Sequence, residues 1–428
     1  MERELFSELN GIYKTTKETP FVIRLRIRMR DLIDPKMLRH AVDKTMERYP
    51  YFCVELRRAE DGRCVFVDNP RPVAITNSLH GVDLNSPESN YHMIAFCWQD
   101  NWIILDVFHG MTDGTGAYEV VRTLLHYYCS DRYHVELKEE GIRLVGDEIS
   151  AEEWDDPVAN RTDLPTPPHN EMPNALKLVA MAGLEEDRQP TVYSIAIDES
   201  EFMGFTRDVD GSPGTTIALL LSRAIAKMYP DVEGTIRIML CVNQRPALRA
   251  PLAHQSLVGD VRLVYDEKVD ALPFSAQATS FRGKVILQSD PDIVLEEIKE
   301  YQQIVRELRA LPDHAARRRY AVDRMDRMTS CFTATVSYVG KTDMGEAERF
   351  IQEFHVLPST ALPSSATPLT LELSAMNGSF YVNFMQYFEN DCYLNAFIRE
   401  LRENEIDYDV LYQEKTKYPG MVDFWGEE

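Results

Sequence analysis

Residues 102–108 (Trp-Ile-Ile-Leu-Asp-Val-Phe) form an apolar run that stops at His109-Gly110-Met111-Thr112-Asp113-Gly114-Thr115-Gly116, where a helical pattern begins at once. Ala117, Val120, Val121, Leu124, Leu125 and Tyr128 recur on one face of that helix. A buried strand passing through a glycine-rich turn into an amphipathic helix requires a sheet with a helical layer packed on it. That requirement places the chain among α/β architectures. It also puts a histidine at a strand end, beside backbone that glycine leaves accessible.

The rest of the chain repeats these ingredients. Phe21, Ile23, Leu25, Ile27 and Met29 alternate with Arg24, Arg26 and Arg28, the period-two signature of a half-buried strand with its arginines turned to the other side. Asp34-Pro35 reads as a helix cap followed by proline in the first turn, and Met37, Leu38, Ala41, Val42, Thr45 and Met46 follow at helical spacing. Gln99-Asp100-Asn101 reads as a hairpin turn between two apolar strands. Between residues 154 and 190, prolines fall among acids and amides, as in a linker or a long wrapping loop. Beyond it, strands are expected at 191–197, 236–242, 331–339, 350–356, 369–374 and 380–387. Helices are expected after Thr215-Thr216, around Ile298 and around Phe397. The mixed order suggests two α/β sandwiches rather than a parallel doubly wound sheet.

With 428 residues, the chain holds about three average domains or two large ones. Lys and Arg total 46 against 69 Asp and Glu, a net charge of −23. That balance argues against nucleic acid, whose phosphates need a basic footprint, and against attachment to anionic lipid. It leaves room for a local basic patch that meets one anionic ligand. No apolar run is long enough to span a bilayer, and the N-terminus lacks the pattern of a signal peptide. The 7 cysteines are scattered, with no Cys-x-x-Cys. Reduced, mostly buried thiols in a cytoplasmic protein without structural zinc are the simplest account. Serine-hydrolase, P-loop and zincin motifs are absent from the sequence.

The segment His109-x-x-x-Asp113-Gly114 resembles the His-His-x-x-x-Asp-Gly motif of the chloramphenicol acetyltransferase-like acyltransferase superfamily, with Phe108 in place of the first histidine. That group includes alcohol acetyltransferases and the condensation domains of peptide synthetases. The resemblance continues in order along the chain. Arg48-Tyr49-Pro50, Gly214-Thr215-Thr216-Ile217-Ala218, Val242-Asn243-Gln244-Arg245-Pro246 with Gly259, and Val336-Ser337-Tyr338-Val339-Gly340 all look like family segments. Asp423-Phe424-Trp425-Gly426 differs in order and position from the Asp-Phe-Gly-Trp-Gly of plant members and is set aside as coincidence.

The resemblance implies an α/β (α+β) fold of two sandwich subdomains, 1–180 and 181–428, with a tunnel between them. It implies acyl transfer from a thioester, acyl-CoA as co-substrate and no permanently bound cofactor, to a hydroxyl or amine acceptor. His109 is then the general base, and no acyl-enzyme forms. Asp113 pairs with Arg245 as a structural residue beside Gly114. The hydroxyl of Ser337 and amides near Gly114 are oxyanion donors. Two alternatives stay open. One is a freestanding condensation-type domain that takes its donor from an acyl carrier protein, and the other is a non-catalytic carrier-docking module. Read without the resemblance, His109 is better explained by a structural role at a strand end, and the ordered family segments reverse that preference. Arg317-Arg318-Arg319 reads as a solvated helix face or a grip on a coenzyme phosphate.

Overall fold

The computed structural model describes residues 2–3, 12–13, 15, 21–60, 62–158, 173–178, 186–231, 234–357, 368–388, 390–416 and 420. Two main sheets organise them. The first runs in the order Ile351–Leu357, Val22–Met29, Trp102–Phe108, Ile94–Gln99, Ile75–Asn77. Its last pair is parallel and the others are antiparallel. The second runs in the order Val258–Tyr265, Ile236–Asn243, Ala334–Tyr338, Leu369–Met376, Ser379–Phe388, Glu186–Asp198, Asp409–Lys415. Only Ala334–Tyr338 is parallel to its neighbours. A small third sheet joins Glu2–Arg3, Cys64–Asp68 and Val54–Arg58. The first sheet thus borrows its edge strand, Ile351–Leu357, from late in the chain.

Local chemistry sets the element ends. Asp34 caps the Pro35–Arg48 helix by accepting from the amides of Lys36 at 2.9 Å and Met37 at 3.1 Å. The hairpin closes through Asp100 and Asn101, with Asp100 at φ 53°. The helix expected to start at Thr215-Thr216 instead runs Pro213–Met228 from Ser212, which forms a capping box with Thr215. Proline at the first helical position extends that start.

Two of the three arginines of Val22–Met29, Arg24 and Arg26, are buried, while the Arg28 side chain remains 38% exposed. Arg24 is 2% exposed and reaches Asp106 with two bonds of 2.7 and 2.9 Å. Arg26 lies over Trp102 and Tyr412, 4.8 and 5.4 Å from the ring centres. The strand is internal in its sheet, Tyr412 of the second sheet covers Arg26, and the carbonyls of Leu79 and His80 close over Arg24, so much of the arginine face is buried too. Arg317 is likewise buried and reaches the Leu311 carbonyl, while Arg319 is exposed.

The second sheet is asymmetric. Its outer face (Leu369, Leu371, Leu373, Ile238, Leu240, Val336) packs with Ile217, Leu221, Phe397 and Leu401 of the covering helices. Its inner face carries a polar row in which Cys241, Ser337, Glu372, Asn383 and Ser194 are direct cross-strand neighbours, extended by Asp260 and Tyr412 at the ends. His355 of the first sheet meets one end of that row, with Nδ1 at 3.3 Å from Ser194 and 3.2 Å from Asn383.

Among the described residues no disulfide joins any of the seven cysteines, and four of them are buried. Among the described residues no helix is long and apolar enough to cross a membrane, and no group of His, Cys, Asp and Glu is arranged to hold a metal. The stretch expected as a linker falls largely outside the described residues, as do residues 423–426.

Candidate active site

The site begins where Trp102–Phe108 leaves its sheet. Phe108 is fully buried and paired with Val22. The Met111 amide donates to the Phe108 carbonyl at 3.0 Å, which turns the chain sharply. The Phe108 ring lies so close to Gly110 that any Cβ there would overlap it, so the aromatic residue and the glycine fit as a pair. His109 donates its amide to the Phe21 carbonyl at 2.8 Å. Its ring stacks on Phe21 with centres 4.4 Å apart and planes 4° from parallel. The side chain is held by an aromatic wall yet stays partly exposed.

Asp113 serves two structures at once. As N-cap of the Gly114–Tyr133 helix it accepts from Gly116 at 3.1 Å. It also accepts from Arg245 Nη1 at 2.7 Å, Arg245 Nη2 at 2.9 Å and the Leu257 amide at 2.9 Å. Its carboxylate is 1% exposed and Arg245 is 3% exposed. Arg245 uses its remaining donors on the Ala253 and Gln255 carbonyls and on Asn243 Oδ1. With four donors around it, Asp113 is engaged by the scaffold, and the geometry gives it a positioning role. Among the described residues it forms no hydrogen bond to His109.

Gly114 packs on Val339, which follows the Ala334–Tyr338 strand closely enough that a methyl on Gly114 would overlap it. The motif turn therefore rests directly on the second sheet. Ser337 is two residues before that contact. Its hydroxyl interacts with the Glu372 carboxylate on the next strand and with Cys241 on the other side. The Glu372 carboxylate thus lies beside the hydroxyl expected from sequence to serve an oxyanion. Burial pushes Glu372 up to about 7, opposed by Ser337. Sequence reasoning missed this acid because the alternation at 369–374 reads as an ordinary strand with a solvated side.

A buttress lies behind the motif turn and was also missed. Thr112 donates to the His254 carbonyl at 2.6 Å. The Tyr51 hydroxyl sits 2.6 Å from His254 Nδ1 and donates to Glu153 at 2.8 Å. Arg48 grips Glu153 with two bonds of 2.9 Å. Hydrogen bonds and charges from Arg48, Tyr51 and Arg143 hold Glu153 down to about 2, against the opposing effect of burial. Burial pushes His254 down to about 3. Tyr51, Glu153, His254 and Met111 are among the residues that border a cavity of about 30 Å³, which is water-sized and too small for a substrate.

No family model matches the sequence, and no curated protein is significantly similar to it. Solved structures do resemble it. Polyketide synthase associated protein 5 from Mycobacterium tuberculosis aligns at TM-score 0.60 and 13% identity, over 93% of this chain and 96% of that one. The condensation domain from Monacolin K polyketide synthase MokA aligns at 0.61 and 12%, over 94% and 97%. TRI101 from F. graminearum, solved with Coenzyme A and T-2 mycotoxin, aligns at 0.61 and 10%, over 95% and 99%. At this identity the likeness is one of fold. The chain has the two-subdomain chloramphenicol acetyltransferase-like fold implied by its motifs.

Proposed function

We propose that this chain is an acyltransferase that moves an acyl group from a thioester, acyl-CoA in the first instance, to a hydroxyl or amine acceptor with His109 as general base. The observation carrying this reading is the arrangement at the strand end. His109 is held against Phe21, while the neighbouring carboxylate of Asp113 is taken up by Arg245. That leaves the imidazole as the proton-transfer group of the motif. The fold is one in which TRI101 holds Coenzyme A together with T-2 mycotoxin.

The chemistry follows from residue types. Imidazole is the side chain whose chemistry best suits it to take and return a proton around neutral pH. His109 takes the acceptor's O–H or N–H proton as the acceptor attacks the thioester carbonyl. The tetrahedral intermediate collapses with cleavage of the C–S bond, and the departing thiolate receives the proton from His109. No acyl-enzyme is required, because a tunnel between the subdomains brings both substrates to the histidine and proximity lowers the barrier. The Asp113 cap engages the Gly116 amide, so the Gly114 and Thr115 amides at the helix start are the oxyanion donors in this scheme. The Ser337 hydroxyl is the further donor in this scheme. The subdomains are residues 1–180 and 181–428, with Ile351–Leu357 crossing back into the first sheet.

Thiol release from acyl-CoA, followed with and without a panel of alcohols and amines, tests the proposal, with mass spectrometry to identify the product. Acceptor-dependent release supports it. The likeness to a condensation domain gives a second reading, a carrier-tethered donor. Transfer from carrier-loaded acyl groups alone would select that reading. Absence of transfer from either donor would leave a docking module.

A further inference from the structure

The polar row on the inner face of the second sheet is satisfied at one end and open at the other. Ser194 and Asn383 are fully buried and meet His355. Cys241, Ser337 and Glu372, next in the same row, are partly exposed. What overlooks them is the first turn and a half of the helix that follows the motif. Gly114 rests on Val339, and Tyr118, one turn later, lies within electrostatic reach of Glu372.

Two features mark this place as built for a ligand. Glu372 has no arginine, lysine or histidine within ion-pair distance among the described residues, and Ser337 is the neighbour that favours its ionised form. A carboxylate partly withdrawn from water and without a counterion is costly, and proteins ordinarily pair such groups. Beside it, Tyr118 is 6% exposed, and its hydroxyl lies by that of Thr342 without reaching hydrogen-bonding geometry to it or to any other described group. An acid without a cation and a phenol without a well-formed hydrogen bond thus lie within electrostatic reach of each other.

We infer that Glu372 is a specificity-determining residue for the acceptor, selecting molecules that carry a positively charged nitrogen, with Tyr118 as a second polar contact. The inference rests on the acyl-transfer reading of the site for the word acceptor, but not for the binding itself. An ammonium group beside Glu372 supplies the missing counterion and donates hydrogen bonds to the carboxylate. A neutral alcohol of equal length supplies neither.

The test compares 6-aminohexan-1-ol with hexan-1-ol at pH 8, using acetyl-CoA as donor. Wild-type kcat/KM is expected to favour the amino alcohol at least tenfold. Glu372→Gln is expected to abolish the preference, while Cys241→Ser retains it. In parallel, calorimetry with 1,6-diaminohexane and the full chain, without any thioester, should show binding that Glu372→Gln weakens at least tenfold. Circular dichroism checks that the variant is folded, and the wild-type ratio remains decisive if it is not. Equal use of the two acceptors by the wild type, or a preference that survives Glu372→Gln, overturns the inference. Diamine binding that depends on Glu372, without turnover of either acceptor, overturns the acyl-transfer reading and leaves the cation site standing.

Discussion

Asp113 and Arg245, 132 residues apart in sequence, meet in the interior as a two-bond ion pair of 2.7 and 2.9 Å. The pair ties the motif turn to the start of the short Arg245–Leu248 helix, joining the strand end that carries His109 to the second sheet. Removing one partner strands a buried charge, which costs about 3–5 kcal/mol. Asp113→Ala also loses the helix cap, worth about 1 kcal/mol. Both Asp113→Ala and Arg245→Ala should therefore show a large drop in chemical-denaturation stability, and the double variant should lose less than the sum. If Asp113→Ala retains full stability yet loses all turnover, the positioning role is wrong.

His109 stands apart from that network. Its ring leans on Phe21 and is partly exposed. His109→Ala should leave the thermal transition near that of the wild type. It should lower kcat by about 10²–10⁴-fold, the usual worth of a general base. Wild-type turnover in a folded His109→Ala protein would remove the histidine from the mechanism.

Gly114 makes a sharper steric prediction. Its site admits no side chain, because Val339 fills the space that a methyl would enter. Gly114→Ala should destabilise the protein by about 1–3 kcal/mol, as overpacking does, and shift the helix start away from the second sheet. Val339→Ala makes room, so Gly114→Ala/Val339→Ala should recover much of the stability and activity lost by the single variant. A double variant no better than Gly114→Ala would show that contact with Val339 is not what fixes glycine there.

The motif was legible because its chemistry is local. A strand, a turn and a helix follow one another between residues 102 and 133, and the Asp34 cap and the hairpin at Asp100 were readable for the same reason. Sheet membership was not. Ile351–Leu357 carries nothing in its own pattern to say that it joins Val22–Met29 rather than its sequence neighbours. The same holds for faces. The Leu369–Ser374 alternation told which residues share a side but not that the polar side looks inward, and so Glu372 stayed hidden. The Arg24–Asp106 pair misled in the same way, since an arginine on one side of a strand reads as solvated until a loop distant in sequence, here Leu79 and His80, closes over it. Arg245 was found through family likeness, because no spacing rule links it to Asp113.

The buttress behind the motif predicts an acid-sensitive fold. His254 is 3% exposed, its Nε2 has no hydrogen-bond partner, and burial lowers it from 6.5 to about 3. Between those values the unfolded chain binds a proton that the folded chain refuses, so stability falls as pH drops below 6.5 and the loss continues to about 3. At pH 5 the cost from this one group is about 2 kcal/mol relative to neutral pH. Glu153, held at about 2 against its ordinary 4.5, stabilises the fold above pH 4.5 and begins to lose that contribution only below it. The two groups therefore act in successive windows, His254 first as acid is added. Urea denaturation at pH 7 and pH 5 separates them. His254→Asn preserves a donor toward Tyr51 but does not titrate, so its stability should change by about 2 kcal/mol less than the wild type's over that interval. An equal pH dependence in the two proteins would mean that His254 is protonated in the folded state. The Tyr51 hydroxyl between it and Glu153 would then bridge two charges rather than a neutral imidazole and a carboxylate.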